Sequence, residues 1–487
     1  MPGPSIFSND GKNVLKNLFQ LGGPVALQYL LNMGIWTMPV FFLGRNLPPA
    51  NLGAYSLGNM FCNFTGNALI QGFLSNMDTH LSQAFGAKKF VRYQIVTKRN
   101  FLICSILAVV IGFIWFFVPG VFFQAIGVQD DVSKLAIQFC RIMILSVWPI
   151  FAGEVLHRFL ANQNIVFYPT LVYVPMILAS FLINYFYTDS LGFIASAVSL
   201  VVGNIIMFIL FFVYVVCKGT KVQSVKLRGP VNYFKGWSEI FRFGIPGMLM
   251  MMMDWGTFEL NAAYAGRIND LNLAAHALLT QTCGICYVMP LGIAIATQII
   301  VGQKLGERKR SQAILASKLG FLVSIVLIGS CLIFIYTYRV SYLSFFTTSK
   351  SVIAVAEKVV HMQVAFSFFD AVQCSLTFTL RGVGKQDIAW KFMLGYPIIG
   401  LTSGYIYAFV LNFGLLGVWM GMVTAISIVD VCLFVLLYHV DWKKEEALAI
   451  QRATGIDASD GDIEQNSYSL IDCKGEPGEE YLRIGVN

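Results

Sequence analysis

Apolar residues run along this chain in long stretches, separated by short segments rich in lysine, arginine, glycine and proline. A helix crossing about 30 Å of hydrocarbon needs about 20 apolar residues, and runs of that length recur from residue 21 to residue 440. They predict twelve membrane-spanning helices, over 21–43, 52–76, 101–124, 137–160, 165–187, 191–216, 239–264, 272–300, 314–337, 358–380, 390–411 and 415–439. The first run follows Lys12 and Lys16, lacks a small-residue cleavage site and is followed by further spans, so it reads as a retained helix. The chain divides accordingly into an N-terminal segment (1–20), a first six-helix lobe (21–220), a linker (221–238), a second six-helix lobe (239–440) and a flexible acidic tail (441–487).

Composition agrees: 56% of the 487 residues are hydrophobic, 12% are charged and mean hydropathy is +0.67, against about a quarter charged in soluble domains. Eight of the ten cysteines (62, 104, 140, 283, 286, 331, 374, 432) fall inside predicted spans, where cysteine behaves as a small hydrophobe and suggests no disulfide framework. Cys283 and Cys286 have metal-like spacing but no second pair or histidine cluster, so packing is the better reading and no metal is expected.

The net charge of +8 is explained by topology. Basic residues crowd the N-terminus and the even-numbered connections, among them Lys88, Lys89, Arg92, Lys98, Arg99, Lys304, Arg308, Lys309, Arg310, Lys443 and Lys444. The opposite connections hold few, including Arg45, Lys134, Arg267 and Arg339. The positive-inside bias places both termini in the cytoplasm and removes any need for a nucleic-acid partner. Two tyrosine patterns in the tail, at 468–471 and 481–484, have the form of sorting signals, a pattern short enough to arise by accident.

The halves resemble each other at an offset near 220: residues 82–89 (SQAFGAKK) lie over 302–309 (GQKLGERK), and Leu160 over Leu380. Six helices per half is an even number, so both halves enter the membrane alike and are related by an axis along its normal. Repeats of this kind place a substrate path at their interface and alternate access by rocking.

Ionisable groups inside spans are costly and are functional by default. The second half carries Asp254 and Glu259 on its first helix, Asp370 on helix ten and Asp430 on helix twelve; the first carries Asp78 and Glu154. Asp254 and Glu259, five residues apart, point about 140° apart on a regular helix and cannot reach one ligand. Glu154 and Arg158, spaced i,i+4, are expected to neutralise each other. Asp78, at the end of helix two, reads as a structural hydrogen-bonding group, and Asp430 is open to a structural or a functional reading. Trp255, Phe258 and Tyr287 are candidates to combine with a carboxylate around an organic cation, and Met248 and Met250–253 for an adaptable wall. Pro149, Pro175, Pro290 and Pro397 interrupt spans and favour bends.

Several segments resemble the multidrug and toxin extrusion (MATE) family, particularly its eukaryotic members: DTHLSQAFG at 78–86, FLANQNIV at 159–166, LGFIASA at 191–197, DWGTFE at 254–259, FDA at 369–371 and LRGVGKQ at 380–386. The likeness covers residues 14 to 440. It implies a V-shaped pair of six-helix lobes and antiport of organic, often cationic, compounds against protons or sodium, with no other cofactor. Asp254, Glu259 and Asp370 match the family's acidic positions on helices seven and ten, held to bind cation or substrate. Two departures bear on substrate range: Asp254 replaces a longer glutamate, and Gln281 stands where some animal members have an acid. Helix one has no acid between Leu21 and Arg45, which argues against a proton site in the first lobe.

The expectation is therefore a monomeric, multi-pass exporter of organic solutes in the plasma membrane or an endomembrane vesicle, coupled to protons. The alternatives are sodium coupling or, in the same superfamily, a flippase for lipid-linked oligosaccharides, which needs a large cationic cavity. Twelve spans with a parallel repeat fit neither a receptor nor a channel, and no nucleophile elbow, metal array or phosphate loop supports an enzyme.

Overall fold

The computed structural model describes residues 8–217, 233–347 and 349–454. Twelve membrane-length helical segments follow one another: α1 (Asn9–Asn46), α2 (49–86), α3 (Phe90–Ala125), α4 (Asp130–Ala161), α5 (Phe167–Leu191), α6 (Ile194–Cys217), α7 (Trp237–Ile268), α8 (Asp270–Gly306), α9 (Arg310–Thr337), α10 (Lys350–Val383), α11 (Gln386–Val410) and α12 (Leu415–Tyr438). Ten of them are apolar enough to cross a membrane by length and composition alone. The exceptions are α2, broken by a π-helical turn at Asn63–Asn67 and a kink at Leu74, and α7, which carries Asp254, Glu259 and Asn261. These two segments pack against each other between the halves: a side chain on Gly72 would meet the Gly247 carbonyl oxygen at 2.5 Å. Their polarity fits a place away from lipid.

Each half has its own apolar core. That of the N-lobe gathers Phe123, Phe139, Phe159 and Phe211, and that of the C-lobe Phe366, Tyr396, Trp419 and Met422. A third cluster is shared, with Leu18, Leu21 and Val25 of α1 packed among Ile299, Ile300 and Leu319 of the C-lobe. Pro149, Pro175 and Pro290 lie within continuous helices, whereas α11 is interrupted at Leu394, three residues before Pro397.

The repeat is written in the backbone as well as in the sequence. Left-handed conformations recur in register at Lys88 and Arg308, at Asn164 and Gly384, and at Gly192 and Gly414. The repeated motif meets its own copy where the lobes join. A side chain on Gly86 would lie 2.0 Å from the Gln303 carbonyl oxygen, and one on Gly306 would lie 2.2 Å from that of Gln83. Such reciprocity is the mark of a pseudo-two-fold axis through the contact, and only glycine permits so close a backbone approach.

This junction sits at the end that carries the basic loops. Further bonds close it: Thr79 donates to the Arg381 carbonyl at 2.7 Å, Gln83 Nε2 to the Gly382 carbonyl at 3.1 Å, and Gln303 Nε2 to the Asn162 carbonyl at 2.9 Å. Arg92 of α3 pairs with Glu239 of α7 at 2.5 Å, with His80 3.7 Å from the same carboxylate. At the other end each lobe packs on itself, Phe42 against Phe181 and Tyr185, Tyr264 against Tyr405 and Phe409. The two six-helix lobes make a V joined at its basic end.

The acidic tail expected from residue 441 needs correction at its start. Residues Trp442–Thr454 form a further helix, α13, with Glu445, Ala449 and Ala453 buried at four-residue spacing. Arg452 donates from Nε to Gln83 Oε1 and from Nη2 to the Val383 carbonyl, both at 3.0 Å, and so bridges the lobes. Glu445 pairs with Lys385 at 2.8 Å. Residues 455–487, with both tyrosine patterns, and 218–232, which include most of the expected linker, lie outside the described residues.

Candidate functional site: the inter-lobe cavity

The lobes enclose a cavity of about 410 Å³. Its N-lobe wall comes from α1 (Tyr29, Asn32, Trp36), α2 (Asn59, Asn63, Asn67, Gln71, Asp78), α4 (Glu154, His157, Arg158) and Asn204 of α6. Its C-lobe wall comes from α7 (Met250, Met251, Asp254, Trp255), Tyr287 of α8 and α10 (Gln373, Thr377, Phe378, Arg381).

The amides of α2 are placed by local geometry. Four residues of α-helix advance about 400°, so a four-spaced stripe drifts about 40° per step. The wider π-helical turn at Asn63–Asn67 rotates it back, and Asn67 Nδ2 donates to Asn63 Oδ1 at 2.6 Å. Thr65, within that turn, donates to the Phe61 carbonyl at 2.6 Å and accepts from the Trp115 indole at 2.9 Å, which pins the turn to α3.

Charges of the N-lobe wall are held within that lobe. Arg158 donates to Asp78 and, from Nη2, to Gln71 Oε1 at 2.7 Å and the Gln71 carbonyl at 3.2 Å. Asn162 Nδ2 reaches the other Asp78 oxygen at 3.4 Å. Arg158 thus pairs with Asp78, and the i,i+4 pairing expected with Glu154 is replaced by this long-range one. Glu154 instead faces His157 at 3.8 Å, and His157 contacts the Gln28 amide at 3.0 Å, which donates to the Tyr173 hydroxyl at 3.2 Å. Asp78 is structural, as its position suggested, yet it also borders the cavity.

The C-lobe differs. Asp254 lines the cavity between Met251 and Trp255 with no ion pair among the described residues. Asp370, 8% exposed, stands behind that wall, within electrostatic reach of Asp254 and Asp430. Asp430 is buried in α12 with no hydrogen-bond partner on either oxygen among the described residues. Of the other residues singled out in the sequence, Trp255 and Tyr287 line the cavity as expected. Three do not: Phe258 packs edge-on against Phe366 at 5.5 Å in the C-lobe core, and Glu259 and Gln281 are exposed side chains outside the cavity lining.

The structure adds Arg381, quoted above only as part of a motif, and the α2 amides, whose four-residue spacing was visible in the sequence.

Two membrane lobes related by a parallel repeat, closed at one end around a polar cavity, make the frame of a membrane transporter. The MatE family model matches the chain twice, over residues 24–186 and 246–406, and the protein belongs to that family of membrane transporters. It is similar to multidrug and toxin extrusion protein 1 of Danio rerio, at 27% identity over 98% of this chain and 80% of that protein. With the Homo sapiens protein of the same name the figures are 26%, 88% and 75%. The fold is that of the eukaryotic MATE transporter AtDTX14 (TM-score 0.85, 20% identity, 91% of this chain and 100% of that one). It is also that of an outward-facing multidrug resistance MATE transporter (TM-score 0.78, 18% identity, 90% and 96%).

Proposed function

We propose that this protein is a secondary active antiporter that exports organic solutes, cationic groups foremost, in exchange for protons. The observation that carries the reading is Asp254, a carboxylate on the cavity wall with no ion-pair partner among the described residues. A coupling carboxylate must be free to release and rebind a proton or cation, and one held by an arginine is not. Asp370 lies next in line behind it, and Trp255 and Tyr287 offer aromatic faces to an organic cation. The names of the extrusion proteins of fish and human support the same reading.

With the basic loops in the cytoplasm, closure at the basic end leaves the cavity accessible from the outer side. Opening requires the glycine-mediated junction, the Arg92–Glu239 pair and the Arg452 bridge to separate.

The test is gradient-driven uptake of a fluorescent organic cation into proteoliposomes. With a proton gradient imposed, wild type accumulates the dye, whereas Asp254→Asn and Asp370→Asn, present as folded membrane protein, do not. Normal uptake by both variants overturns the assignment. A sodium gradient applied alone decides the ion: uptake driven by sodium and not by protons replaces the proton in this scheme.

A further inference from the structure

Two charged side chains of the cavity, Asp254 and Arg381, have no partner of opposite charge within 4.0 Å among the described residues, and they do not pair with each other. Asp254 and Arg381 are close enough to feel each other's charge. Arg381 is only 5% exposed, and its Nε has no hydrogen-bond partner. The guanidinium lies over the Phe378 ring at 4.8 Å, and both residues line the cavity. Asp78, the carboxylate whose charge Arg381 feels most, is itself held in an ion pair by Arg158 across the interface.

A buried guanidinium without a carboxylate in contact is costly. Its planar fork is matched to the two oxygens of a carboxylate, and Phe378 holds the plane as a shelf. We propose that Arg381 is the anion-receiving subsite of the cavity, binding the carboxylate of a solute whose ammonium group lies toward Asp254. The inference rests on the transport reading above and refines its substrate class from organic cations to zwitterions. The separation of the two side chains sets a preferred distance between the solute's charges.

The test is equilibrium binding to the purified full-length protein. A fluorescent N-methylpyridinium dye is displaced by ω-trimethylammonium alkanoates of increasing chain length, each compared with its methyl ester, which keeps the cation and loses the anion. In wild type the acid displaces the dye about tenfold more effectively than the ester at one optimal chain length, as suits one charge-assisted hydrogen-bonded pair. In Arg381→Gln the ratio falls to about one. Arg381→Lys, which keeps the charge and loses the fork, lowers it several-fold and serves should the glutamine variant not survive purification. Equal potency of acid and ester in wild type, or a ratio unchanged in the variants, overturns the proposal. Failure of wild type to bind the dye at all counts instead against the organic-cation reading.

Discussion

The two lobes share a fold and differ in what they do with charge. In the N-lobe each cavity acid faces a base from its own lobe, Asp78 with Arg158 and Glu154 with His157. In the C-lobe Asp254 and Arg381 stand unpaired at the cavity, with Asp370 and Asp430 behind. Duplication supplied the same frame twice, and only one copy keeps its ionisable groups free. The N-lobe wall holds its acids in contacts within the lobe, whereas the proposed function places exchange of a proton and a solute at the C-lobe wall.

Breaking the N-lobe pair is the strongest test of this contrast. Asp78→Ala or Arg158→Ala leaves a buried charge uncompensated and is expected to cost about 3–5 kcal/mol of stability, read as a fall in unfolding temperature in detergent. The double variant is expected to cost less than the sum of the two. Asp254→Asn, with no partner to orphan, should change stability by less than about 1 kcal/mol. Equal destabilisation by Asp254→Asn would dissolve the distinction between the lobes.

The joint between the lobes gives a smaller, pH-dependent effect. His80 lies beyond the predicted span at the basic end, and burial pushes its pKa from 6.5 down to about 4, with Glu239 opposing and Arg92 and Arg452 assisting. The unfolded chain therefore binds the proton more readily than the folded one. Stability is highest above pH 6.5 and declines as pH falls toward 4, by up to about 3 kcal/mol. His80→Gln should flatten that part of the profile of unfolding temperature against pH. The smallest effect is expected from Glu259→Gln: dye displacement should shift by less than about twofold, against a large loss for Asp254→Asn, because Glu259 is not part of the cavity lining.

The fold was legible in the sequence because its signals are local. Each predicted apolar run overlies one of the twelve helical segments, several of which extend well beyond it, and the motif at 82–89 announced its copy at 302–309. Pairings between distant elements left no such trace. The i,i+4 rule joined Glu154 to Arg158, but α2 delivers Asp78 to that arginine from 80 residues away. Helix α13 was hidden by its polar composition, since only Glu445, Ala449 and Ala453 mark its buried face. Arg381 looked like one more basic residue at a helix end. Its isolation depends on which carboxylates the other helices do not bring to it.

The amide stripe of α2 has one more consequence. Asn59, Asn63, Asn67 and Gln71 offer donors and acceptors that are the same at every pH, and they run down one wall toward Asp78. A solute sliding past them trades hydrogen bonds with water step by step and never has to shed its whole hydration shell at once. Along this wall neither end of a proton gradient alters the lining, so under the proposed proton coupling the driving force would act on the few carboxylates opposite while the path itself stays equally wettable.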